Sequence, residues 1–179
     1  MAKGKRQELK RSERRARRRR AWIIGSAAAV VLVGVVGYFA YRAAATQPGL
    51  AMPDQGNLHI ATESTPHAPY NSDPPTSGPH LSHKAPWGVH TAPIPKELQA
   101  HNLEDGGVLV QYNCECPDLV AQLRAIVQRY NREVILAPYP GMKSKIALTA
   151  WTRIDQLEEF DERRIVRFID AYRGIDHHK

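Results

Sequence analysis

The sequence predicts an α+β domain behind one transmembrane helix: a small mixed sheet with two or three helices and a long, ordered N-terminal loop rich in proline and histidine. Three observations predict it. An uncharged apolar stretch follows an arginine-rich start. Further on, a segment of helical periodicity lies between two short apolar runs. Ahead of that segment comes a long stretch with most of the prolines and almost no periodicity.

The elements can be justified in chain order. Residues 1–20 carry eleven Lys and Arg against Glu8 and Glu13, so this tail alone is +9 in a chain of net charge +7. The other residues hold fourteen basic and sixteen acidic side chains. The basicity belongs to a tail and not to a folded face, so no nucleic-acid partner is expected. From Ala21 to Tyr41 (AWIIGSAAAVVLVGVVGYFAY) there are twenty-one residues without a charge, closed by Arg42. As a helix this spans roughly 31 Å, the thickness of a hydrocarbon core. Trp22 lies at one end and Tyr38, Phe39 and Tyr41 at the other, where aromatic belts form.

The excess of basic residues before the span predicts a cytoplasmic N-terminus, with everything after Arg42 outside the membrane. The tail would then sit against anionic lipid. A signal peptide cleaved near Ala45 is the competing reading, but the apolar stretch is longer than the roughly 7–15 residues of a signal-peptide core.

Residues 42–57 have linker composition and the folded domain is expected over 58–174, leaving 175–179, with His177 and His178, as an exposed tail. Within the domain, Val108–Tyr112 reads as a buried strand. Apolar positions Leu119, Val120, Leu123, Ile126, Val127 and Tyr130 lie on one face of a helix from Pro117 to Tyr130. Glu133–Ala137 is a second strand, parallel to the first by β-α-β spacing. A third strand covers Lys145–Trp151, and Asp155 with Glu158 resembles a capping box opening a short helical turn. Ile165, Val166, Ile169 and Tyr172 mark one side of a last helix.

The chemistry-bearing residues cluster upstream. His59, His67, His80, His83, His90 and His101 fall within 43 residues, just before Cys114 and Cys116. Imidazole and thiolate are the donors that copper and zinc prefer. His80 ends the stiff turn PPTSGPH and His101 opens HNLEDGG, so both are positions that backbone shape holds. The expected metal set is His67, His80 and His101 with Asp105 or Cys116. Two alternatives stand beside it. Cys114 and Cys116 lie between a strand and a helix N-terminus, where a thiol pKa falls, as in a thiol-redox site in which Pro138 or Pro140 would be a nearby cis proline. The second alternative is a non-catalytic interaction module. Ser77, His80 and Glu104 supply hydrolase residue types without a nucleophile-elbow motif; Glu104 and Asp105 are candidate acid/base or ligand carboxylates, with a solvated or capping role the simpler reading.

At HAPYNSDPPTSGPH (His67–His80), APWGVH (Ala85–His90), HNLEDGGVLVQYN (His101–Asn113), CPDLV and IALTAW, the sequence resembles the bacterial domain of unknown function 3105 family. The resemblance covers roughly residues 58–174. It implies a bacterial cell-membrane protein with an N-terminal anchor and an extracytoplasmic domain, and it implies no activity. It adds weight to His67, His80 and His101. Where relatives carry a second histidine in HNLEHGG, this chain has Asp105.

Overall fold

The computed structural model describes residues 2–44 and 47–178; the expected cleavage position, Ala45, lies outside them. The chain divides into two units, residues 1–47 and 48–179. The first is one helix, α1 (Ala2–Ala44). Within it, Arg17–Phe39 is long and apolar enough to cross a membrane, a requirement that a signal sequence near an N-terminus also meets.

The second unit is an α+β fold. Its elements are β1 (Leu50–Ala51), β2 (His59–Ile60), β3 (His80–Leu81), β4 (Gly88–Val89), α2 (Lys96–Glu104), β5 (Val108–Tyr112), α3 (Pro117–Val127), β6 (Val134–Pro138), β7 (Ile146–Ala150), β8 (Arg153–Leu157) and α4 (Glu162–Tyr172). Six strands form one mixed sheet in the order β1-β8-β7-β5-β6-β4, and β2 with β3 forms a small second sheet. The β5–β6 pair is parallel, joined through α3, while β7 and β8 add as an antiparallel hairpin beside β5.

The central strand explains the layering. Successive residues of a strand point to opposite faces. Val108 and Val110 enter a core with Leu123, Ile126 and Val127 of α3 and Ile165, Phe168 and Ile169 of α4. Leu109, between them, joins Leu103 of α2, Ile94 and Trp151 on the other face. Both faces are covered, which is why VLVQY reads as a continuous apolar run instead of an alternating one.

Three features differ from the expectations. First, residues 50–52 belong to the folded unit: β1 pairs antiparallel with β8, and the Met52 amide donates to Thr152 O. Second, Asp155 opens no helix. It lies in β8, where its carboxylate accepts from Arg164 Nε at 2.8 Å. The cap of the last helix is Asp161, whose side chain accepts from the Arg164 amide. A β-hairpin with favourable inward positions at Ile154 and Leu157 overrides the local capping pattern. Third, the proline-rich stretch contains a helix, α2. Six consecutive residues of it, Gln99 to Glu104, are buried. A short helix buried all round, partly by polar side chains, carries no amphipathic stripe to betray it.

The end of α2 is held closely. Asn102 Oδ1 accepts from the Ala85 amide and Asn102 Nδ2 donates to Ala85 O, both at 2.9 Å. The Gly107 amide donates to Asn102 O, and a Cβ on Gly107 would lie 2.4 Å from that oxygen and 2.7 Å from the Trp87 ring. Gly107→Ala is therefore expected to destabilise the protein by about 1–3 kcal/mol, read as a lower midpoint in denaturant unfolding. An unchanged midpoint would mean that the turn from α2 into β5 relaxes freely.

Candidate metal centre

The site starts with the loop quoted above as PPTSGPH. Its backbone is tied to the segment before β2: the Gln55 amide donates to Ser77 Oγ, the Gly78 amide to Gly56 O, and the His80 amide to Leu58 O. These bonds set two distant stretches side by side as β2 and β3, a parallel pair whose register places His59 opposite His80. The third element is α2, where His101 and Glu104, three residues apart, share one helix face.

The result is a compact group of donors. His80 Nδ1 lies 2.8 Å from Gly78 O. A carbonyl only accepts, so Nδ1 carries the hydrogen, and Nε2 is the atom turned toward Glu104 Oε2 at 2.9 Å. Both side chains are wholly buried. Glu104 Oε1 accepts from Asn57 Nδ2 at 2.7 Å. His59 Nε2 approaches the same Oε2 at 3.8 Å. The His101 ring centroid is 5.5 Å from that of His59 and 5.2 Å from that of His80. One donor atom from each of His59, His80, His101 and Glu104 lies within 4.8 Å of every other.

These residues could hold a metal ion. Donors about 2.0–2.2 Å from one ion stand at most about 4.4 Å apart, so the group needs only small side-chain movements to share an ion. His101 Nδ1 is buried with no hydrogen-bond partner, a state that native structures rarely leave unexplained. Burial pushes the His101 imidazole below its ordinary pKa, against the opposing pull of the Asp105 carboxylate. That keeps the ring neutral, as metal ligation requires.

The other expected residues lie elsewhere or in lesser positions. His67 stands apart from the cluster, with Nε2 3.6 Å from Glu97 Oε1 and its ring beside Tyr70. The hydrogen bonds that pin the loop act on 69–71 and on 77–80, and His67 lies upstream of both. Asp105 is at the margin: it pairs with Lys84 and its Oδ1 is 3.7 Å from His101 Nε2. Cys116 offers no thiolate, because it is disulfide-bonded to Cys114. That disulfide precedes α3 and lines a groove with Tyr112, Pro117 and Pro138. Among the described residues the cis peptide is Asp73–Pro74, not a bond at Pro138 or Pro140. Ser77 spends its hydroxyl on the Gln55 amide.

Two central residues lie outside the expected metal set. Glu104 looks like a cap but is the carboxylate on which the group converges. His59 stands among the six crowded histidines but not in that set. The available signal was a repeated dipeptide, His59-Ile60 and His80-Leu81, each pairing an imidazole with an aliphatic residue.

Residues 61–179 match the family described as Protein of unknown function (DUF3105). The chain belongs to that family. The DUF3105 match includes His80, His101 and Glu104, while His59 lies just before it. No curated protein and no solved structure matches the chain.

The disulfide makes a direct prediction. The non-reduced, denatured protein should show no reactive thiol, and two should appear after reduction. Thiol titration checks this; free thiols before reduction would return Cys116 to the list of available donors.

Proposed function

We propose that this DUF3105 protein is a single-pass, membrane-anchored protein whose folded unit binds one divalent transition-metal ion, zinc or copper, through His59, His80, His101 and Glu104. The observation that carries the reading is the convergence of three imidazoles and a buried carboxylate from three separate elements. The donor chemistry narrows the ion. Imidazole suits zinc and copper(II), a carboxylate suits hard or borderline ions, and the absence of thiolate from the group argues against copper(I).

The chain's own residues would contribute orientation as well as ligation. Gly78 O holds the His80 tautomer that leaves Nε2 for the ion, and Asn57 steadies Glu104 through its other oxygen. An ion there would supply the positive charge that a buried carboxylate requires. The distribution of basic residues, eleven before the apolar span and Arg42 just after it, supports an N-terminus in the cytoplasm and a metal-binding unit outside. The same tail favours contact with anionic lipid. A thiol-redox role for Cys114 and Cys116 rests on their disulfide beside the α3 groove, and would require that bond to open and close in oxidant and reductant.

The test uses the full chain, purified in detergent without a histidine tag and loaded with zinc or copper(II). About one ion per chain should remain after desalting. His80→Ala and the half-exposed His59→Ala should each weaken binding by roughly a hundredfold, whereas His67→Ala should leave it unchanged. Circular dichroism separates loss of ligand from loss of fold. A wild-type protein that retains no ion, or folded His59→Ala protein that binds like wild type, would sink the proposal.

A further inference from the structure

The proposed site meets solvent at His59. His80 and Glu104 are fully buried, while the His59 side chain is 48% exposed. The segment after α4 runs across that exposed side. It is fastened at several points: the Gly174 amide donates to Gly106 O at 2.8 Å and the His177 amide to Glu104 O at 2.9 Å. Gly106 must be glycine for this contact, since its φ is +78° and a Cβ there would lie 2.8 Å from the Ile175 nitrogen. The His177 ring stacks on Trp151, which in turn meets His80 edge-on.

This path delivers one more imidazole to the cluster. His178 Nε2 lies 3.4 Å from Glu104 Oε2 and 3.6 Å from Asp105 Oδ1. Its other ring nitrogen, Nδ1, is 2.7 Å from Asp176 Oδ1, and the same oxygen accepts from the His178 amide at 2.9 Å. A carboxylate that accepts from Nδ1 fixes the tautomer whose lone pair is on Nε2, the arrangement common behind metal-bound histidines. Here Nε2 faces two carboxylate oxygens, a contact that a proton or a metal cation between them makes attractive.

We propose that His178, oriented by Asp176, is a further ligand that closes the open side of the site and governs how fast the ion leaves. The inference rests on the metal-binding reading above and adds to it a removable ligand. Four donors lie on the body of the fold, and the fifth lies on a short surface segment whose imidazole is 47% exposed. Such a ligand can swing away to admit a chelating partner and return to retain the ion.

The experiment compares the full-length wild type with His178→Ala and Asp176→Asn, all in detergent. Zinc-loaded protein is mixed with excess chelator and release is followed by stopped flow. Copper(II)-loaded protein is examined by pulsed electron paramagnetic resonance, which counts coordinated imidazoles. Both substituted side chains lie at the surface, so the fold should persist, and circular dichroism checks that it does. His178→Ala should release zinc at least tenfold faster and show one coordinated imidazole fewer than wild type. Asp176→Asn should keep that imidazole yet also release faster. If wild type binds the ion but neither variant changes release or the imidazole count, His178 is merely an ion-pair partner of Glu104 and Asp105. The inference then fails while the metal site stands. If wild type holds no ion, both fail together.

Discussion

The contact between His80 and Glu104 is the constraint on which the rest of the site depends. It joins the end of a rigid loop to the last turn of a helix, and both partners are removed from water. A buried carboxylate is tolerated only when its oxygens are occupied. Glu104 meets that condition at Oε1 through Asn57, and at Oε2, 2.9 Å from His80 Nε2, through the cation proposed between them. Since His59 and His178 also approach Oε2, a single oxygen atom organises side chains from four parts of the unit.

That arrangement is possible because the backbone was settled first. The prolyl loop has no core of its own. Its order comes from hydrogen bonds to residues 53–58, including Asn71 Nδ2 to Pro53 O and Asn71 N to Gln55 Oε1. These bonds align β2 with β3, and α2 packs against β3 beneath them. The second core, with Leu103, Leu109 and Trp151, then holds α2 against the sheet. Packing in the sheet thus transmits position to the donors, and stiff supporting elements keep side chains within reach of a common point.

How much of this was legible differs between the two halves of the folded unit. In the second half, β5, α3, β6, β7 and α4 were readable because each buries a regular face: the Leu123, Ile126 and Val127 stripe, or the aliphatic runs VLV and VIL. In the first half, α2 buries Gln99, Asn102 and Glu104 as fully as Ala100 and Leu103, and His101 nearly so. A pattern of polar against apolar is blind there, because Gln99, Asn102 and Glu104 find partners inside the protein instead of in solvent. The strands β2 and β3 have two residues each, too short for any period to appear. His80 and His101 were visible through the turn and glycine residues around them. His67 shared the same visible context yet points elsewhere.

Composition and order along the chain alone determine the arginine-rich start, the apolar span and the apolar runs that build the main sheet, because these depend on local composition and on charge counted residue by residue. Membership of the histidine group is a different matter. His59, His80, His101 and Glu104 are brought together by a two-residue register, a helix whose polar residues are buried and a set of loop hydrogen bonds. Each of those is a contact between segments more than twenty residues apart in part of the group, so only the tertiary structure decides which imidazoles meet.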